Sequence, residues 1–208
     1  MARPRDEERR KDLAQRACAV LAREGLGISA EHLAQALGIK RPSLLYYFPT
    51  YSDILQTSLI DLLMEQTAFV SERTARESHP LRQLYVRVKA THEFHEGRGE
   101  QLLFLTQAIA ASGGARVEEL LRSASYVFEG QRKAMVARIE EGIAEGTVHP
   151  CNAEALVAMS RAIIDGLTVA RVTGTSNEDP VHELFWKSVL EPLVKKPTSA
   201  KKNGKALS

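Results

Sequence analysis

Residues 28–48 read Ile-Ser-Ala-Glu-His-Leu-Ala-Gln-Ala-Leu-Gly-Ile-Lys-Arg-Pro-Ser-Leu-Leu-Tyr-Tyr-Phe, and this stretch decides the fold. Ser29 is suited to cap a helix, because its hydroxyl oxygen accepts a hydrogen bond from an amide of the first turn. Glu31 falls in that first turn, where a negative charge suits the helix dipole, and Ile28 and Leu33 hold the positions of a hydrophobic staple. Leu33, Ala34 and Leu37 form one apolar side, and Gly38 supplies the left-handed residue that stops the helix. A second short helix starts near Arg41; Pro42 is tolerated in its first turn, where its missing N–H has no intrahelical partner. It ends at Phe48-Pro49. Two short helices joined by a tight turn have the dimensions of a helix-turn-helix.

The flanks extend the pattern. Leu13, Ala17, Val20 and Leu21 share one face of a preceding helix that Gly25 and Gly27 end. Thr50 and Asp53 form a capping-box start for the following helix, whose Ile54, Leu55, Leu59, Leu62 and Leu63 continue a periodic face. Further helices are expected at about 80–97, 100–112, 116–145, 153–173 and 180–194, separated by glycine and proline breaks. No segment shows the two-residue alternation of a strand. The fold class is therefore all-α: an N-terminal three-helix helix-turn-helix domain at 1–50, a C-terminal helical bundle at 51–194, and a disordered basic tail at 195–208.

Composition narrows the function. Residues 1–50 carry nine Lys/Arg against six Asp/Glu, residues 51–194 fourteen against twenty, and residues 195–208 five lysines and no acid. A basic front beside an acidic body suggests that one part of the molecule meets a polyanion. No apolar run is long enough to span a bilayer, and the charged N-terminus lacks the apolar core of a secretory signal. The two cysteines, Cys18 and Cys151, fall in unrelated contexts, which fits a reducing cytoplasm. No nucleophile is paired with a base and no glycine-rich phosphate loop is present, so the chain reads as a non-enzyme without a cofactor.

Lys40, Arg41, Ser43, Tyr46 and Tyr47 are the outward candidates of the third helix; Ile39, Leu44 and Phe48 are the inward ones. Arg is well shaped for guanine in the major groove, while Lys, Ser and Tyr fix register on the backbone. Spacing and charge leave two readings open: DNA binding, or a helical hairpin with a solvated basic face.

The run Ile28-Ser29-Ala30-Glu31-His32-Leu33-Ala34 followed by Leu37-Gly38-Ile39-Lys40-Arg41-Pro42-Ser43-Leu44-Leu45-Tyr46-Tyr47-Phe48 resembles the signature of TetR-family regulators. The likeness covers about the first 55 residues. It implies that Ser29 hydrogen-bonds a phosphate, that Arg41, Pro42 and Ser43 face base edges, and that Tyr46 and Tyr47 pack on the DNA backbone. Lys40 stands where the family commonly has Ser, losing a helix cap but adding a cation beside DNA. Leu45 stands in place of a common Tyr, and Tyr51 in place of a phosphate-contacting Lys. Arg3 and Arg5 of the N-terminal arm could compensate by entering the minor groove.

The resemblance also implies a homodimer on double-stranded operator DNA, formed by the last two helices, with a small effector bound in the helical body. Dimer candidates are Ile163, Leu167, Leu184, Phe185 and Val189, which equally suit the chain's own core. Effector-lining candidates are Phe69, Phe94, Leu102, Leu105, Ile109, Phe128, Met135 and Met159, a set that points to an apolar or amphipathic ligand. His92 and His95 read as a solvated helix face, with metal coordination as the alternative. The other class of reading is an all-α module whose basic hairpin meets protein or RNA.

Overall fold

The computed structural model describes residues 4–110 and 115–195; the side chains of 4–5, 105–106, 108–110 and 115–127 lie outside that description. The described residues form nine α-helices: α1 Pro4–Glu24, α2 Ala30–Ala36, α3 Arg41–Tyr47, α4 Tyr51–Thr74, α5 Pro80–Phe94, α6 Gly99–Ala110, α7 Ala115–Ala144, α8 Ala153–Val172 and α9 Glu178–Leu184. A single antiparallel bridge, Val148 with Val194, is the extended pairing among the described residues.

Local chemistry sets the ends. Ser29 caps α2, its hydroxyl accepting from the His32 amide at 3.1 Å. Gly38 adopts φ +71°, and the amides of Gly38 and Ile39 return to the carbonyls of Gln35 and Ala34. That pairing is a Schellman stop, and it needs a residue at ease with positive φ. Thr50 and Asp53 complete both bonds of a capping box on α4, at 3.1 and 2.7 Å.

Two apolar clusters hold the helices. The first joins α1 to α4 through Leu13, Leu21, Leu33, Leu44, Phe48 and Leu59, and continues into Phe94 of α5 and Phe104 of α6. The second joins α5, α7 and α8 to the C-terminal segment through Leu81, Val88, Ile139, Leu156, Phe185 and Leu190. Across the first, Ser58 donates to the Ala14 carbonyl at 2.9 Å and Gln107 to the Ala22 carbonyl at 3.1 Å. Helix α4 serves both halves: Ile54 to Leu63 lie in the first cluster, and its last turns face α5 and α7.

The expected helix at 180–194 differs in detail. After α9 the chain widens into a π-helical turn over 185–190 and tightens into a 3₁₀ turn over 191–193. Phe185 and Leu190, five residues apart, are both buried; a π turn keeps that spacing on one face, whereas an α-helix does not. Beyond it, Lys195 donates its amide to the Thr147 carbonyl at 2.9 Å. The rest of the expected tail lies outside the described residues, as do the side chains of Arg3 and Arg5.

Candidate nucleic-acid interface and effector cavity

Helix α3 has two sides with separate tasks. Leu44 and Phe48 are fully buried, which fixes the helix against α1, α2 and α4. Arg10 reinforces that seat: its guanidinium stands 5.4 Å from the Phe48 ring centroid and donates to Thr57 Oγ1 at 2.8 Å. Arg16 donates to the Leu37 carbonyl at 2.6 Å, tying α1 to the end of α2. On the other side Lys40, Arg41, Pro42, Ser43 and Tyr46 are exposed, with Tyr46 at 70% the most exposed large hydrophobic among the described residues.

The remaining contacts of these side chains are sparse. Arg41 meets a carboxylate oxygen of Glu31 only loosely, at 4.0 Å, and its side chain is 56% exposed. Lys40 occupies the N-cap of α3 without a side-chain capping bond. Tyr47 is half-buried and meets Tyr46 edge-on at 5.1 Å. Ser29 is exposed, and its oxygen, though engaged as the α2 cap, keeps a second lone pair and its O–H. Tyr51 points inward and donates its hydroxyl to the Leu26 carbonyl at 3.2 Å. Burial pushes its phenol up to about 12, so this side chain works as an internal tie.

A cavity of about 680 Å³ opens between α4, α5, α7 and α8. Val70, Leu84, Phe128, Met135, Val157 and Ile164 supply its apolar wall, and Thr67, Thr91 and Ser160 add hydroxyls. Of the sequence candidates, Phe128 and Met135 line it. Phe94 and Leu102 are buried in the packing around α5 and α6, and Phe69 packs against the first cluster, edge-on to Phe94 at 5.5 Å. Met159 is exposed on the outer side of α8, and the side chains of Leu105 and Ile109 lie outside the described residues.

The lining also holds Arg87, Gln66 and Gln131, polar residues that apolar periodicity does not mark. A signal was available: Leu84, Arg87, Val88 and Thr91 stand at the i, i+3, i+4, i+7 spacing of one helix face, so an arginine sits in the buried stripe of α5.

The expectation of a solvated His92 and His95 is overturned, since both are 2% exposed. Helices α8 and α9 cover them: His92 Nδ1 lies 2.9 Å from His182 Nε2, and its Nε2 donates to the Ile164 carbonyl at 3.2 Å. Among the described residues, no group of three or more His, Cys, Asp and Glu is placed to hold a metal ion.

The proposed dimer side chains divide. Phe185 and Leu167 are buried in the chain itself, Ile163 and Val189 pack half-buried against the second cluster, and Leu184 is 64% exposed. On α8, Met159, Ala162, Gly166 and Val169 are exposed. The helix is apolar on both sides, so periodicity gives no choice between inner and outer face.

No protein-family model matches the sequence, and no curated protein matches it. Solved structures do match. A TetR-family transcriptional regulator from Agrobacterium tumefaciens superposes with a TM-score of 0.70 at 20% identity, covering 91% of this chain and 100% of that one. The ketosteroid transcriptional regulator KstR2 of Mycobacterium tuberculosis gives 0.63 at 22% identity over 90% of this chain and 96% of that one. AibR, solved with isovaleryl coenzyme A and operator DNA, gives 0.67 at 10% identity over 88% and 98%. The chain has the fold of the TetR-family transcriptional regulators: an all-α helix-turn-helix unit joined to a helical body. Among the described residues, no helix is long and apolar enough to cross a membrane.

Proposed function

We propose that this chain is a homodimeric, cytoplasmic, sequence-specific DNA-binding regulator of the TetR type, a repressor that a small amphipathic effector releases from its operator. The observation that supports it most directly is the outward set Lys40, Arg41, Ser43 and Tyr46, on a helix whose inner side Leu44 and Phe48 lock in place. Arg41 reads base edges in the major groove, while Ser29, Lys40, Tyr46 and Tyr47 fix the register on phosphates.

Two such helices must lie about 34–36 Å apart to meet adjacent major-groove faces, which a monomer does not provide. The exposed strip Met159, Ala162, Gly166, Val169 with Leu184 suits a self-complementary contact about a two-fold axis. AibR, a protein of this fold, is solved in complex with isovaleryl coenzyme A and operator DNA, and binding of DNA and of a small molecule fits here as well.

Helix α4 makes release a mechanical matter. It spans 24 residues, about 36 Å at 1.5 Å per residue. Its first half is bonded to the DNA-reading unit by Ile54, Leu55 and Leu59; its last turns, Gln66 to Thr74, line the cavity. A ligand that shifts the cavity end of a rigid helix moves the other end too, and with it the separation of the two reading helices.

Selection of bound duplexes from a random pool at physiological salt tests the reading. A recovered palindromic motif with two half-sites one helical turn apart is the expected result. Binding that vanishes as salt rises, with no enriched motif, would leave the helix-turn-helix as a basic hairpin for another partner.

A further inference from the structure

The charges around the cavity do not cancel. Three arginines and one glutamate line it. Glu129 accepts both oxygens' worth of bonding from Arg132, at 2.9 Å each, and Lys133 approaches it at 3.6 Å. Arg161 is held by Asp165 at 2.7 Å and lies 4.7 Å from the Phe128 ring centroid. That leaves Arg87. It donates to Gln131 Oε1, whose amide in turn donates to Thr67 Oγ1 at 3.1 Å. Both partners are neutral, and among the described residues no carboxylate pairs with Arg87.

An uncompensated cation facing a partly apolar cavity is costly unless the cavity is meant to receive the opposite charge. Burial and the nearby Arg161 both act against the charge on Arg87. The wall beside it adds a second unmet demand: Gln66 Oε1 is buried with no hydrogen-bond partner among the described residues. An amide can turn either end inward, so Gln66 can offer its N–H to an anion or its oxygen to a hydroxyl. Val70 and Leu84 flank these groups on the same helices, and α7 and α8 add Met135, Val157 and Ile164 to the lining.

We infer that the cavity takes an amphipathic carboxylate, its acid group on Arg87 and the Gln66 amide and its apolar body against the α7–α8 wall. The inference rests on the reading of this cavity as the effector site. A carboxylate fits the guanidinium fork with two parallel bonds, in a setting where charge-assisted bonds are strong. An apolar neutral ligand would leave Arg87 unmatched, and a quaternary ammonium would oppose it. The volume, near 680 Å³, is within the range that holds a small organic molecule whole.

Calorimetric titration of the full chain with three probes of one chain length, decanoate, 1-decanol and decyltrimethylammonium, tests this, with hexanoate to tetradecanoate covering the choice of length. Decanoate, or another acid of the series, should bind about ten- to a hundredfold more tightly than the alcohol and ammonium of matching length. Arg87→Met should remove that preference while leaving the alcohol's affinity unchanged, and Arg87→Gln should do the same if the methionine variant does not fold. Equal affinity for acid and alcohol, an acid preference that survives loss of Arg87, or no binding by any acid of the series would overturn the inference. Release of selected operator duplex by the bound acid is a separate readout. Arg87-dependent binding without release would uphold the carboxylate site and remove its role as effector site.

Discussion

His92 on α5 and His182 on α9 stack at 5.0 Å between ring centroids, with His92 Nδ1 2.9 Å from His182 Nε2. The Ile164 carbonyl can only accept, so it takes the hydrogen of His92 Nε2. His92 Nδ1 is then bare, and His182 must donate to it. A proton added to His92 would set two N–H groups against each other unless His182 moved its own proton to Nδ1, which is buried with no acceptor among the described residues.

That arrangement makes low pH destructive. Burial is the largest cause lowering both His92 and His182 below the usual histidine range, with Arg171 adding to it at His92 and Lys89 at His182, while Glu178 opposes it at both. His95, buried beside them with neither ring nitrogen bonded among the described residues, is pushed down to about 4 by burial, with Arg171, His92 and Arg98 adding to the shift. A histidine with a lowered folded pKa stays neutral in the fold and takes its proton on unfolding. Stability is therefore complete above about pH 6.5 and falls as pH drops towards 4. Urea unfolding at pH 7.5 and pH 5 should show the loss, with His95 alone contributing up to about 3 kcal/mol across the full window. His95→Gln should flatten the slope, and an unchanged slope would remove His95 from the explanation.

Arg41→Ala should lower discrimination between selected operator and random duplex by about 1–3 kcal/mol. Tyr47→Phe should weaken both duplexes alike, because a phosphate contact carries no sequence information. Competition binding at fixed salt separates the two. An Arg41 variant that loses equally on both sequences does not read bases.

Two glycines of α7 should respond in opposite directions. A Cβ on Gly142 would lie 2.8 Å from Pro80 Cγ and 2.9 Å from Val148 Cγ2, whereas one on Gly130 meets nothing within 4 Å. Gly130→Ala should stabilise by about 0.5–1 kcal/mol through helix propensity. Gly142→Ala carries the same local gain but should come out net destabilising by about 1–2 kcal/mol, since Pro80 and Val148 are packed against it. Thermal unfolding of both variants checks the signs.

Met159→Glu with Gly166→Arg should turn the proposed dimer into monomers on sizing, with helical content intact because both positions are exposed. A persistent dimer would place the interface elsewhere.

What was legible in the sequence was whatever is settled within a few residues. Ser29 with His32, Gly38 with Gln35 and Ala34, and Thr50 with Asp53 all close their bonds locally, and the reading unit was legible from them. Partners far along the chain were not. The surroundings of His92 come from Ile164 and His182, 72 and 90 residues away, and a two-histidine spacing on one helix carries no trace of them. Arg87 is not legible as cavity lining from apolar spacing, because it is a polar residue enclosed in an apolar stripe. Leu167 and Phe185 suit a partner or the chain's own core equally in the sequence, because an apolar stripe does not declare which of the two it meets.

Helix α4, rooted at one end among α1 to α3 and at the other in the cavity wall, has a consequence under the proposed function that runs in both directions. If occupying the cavity lowers affinity for DNA by some factor, then bound DNA lowers affinity for the occupant by that same factor. Operator fragments are thus antagonists of the ligand, and a titration of the cavity in their presence should shift to higher ligand concentration. Under the proposed function, the ligand concentration needed to fill the cavity then depends on the amount of operator present as well as on the fit of the cavity itself.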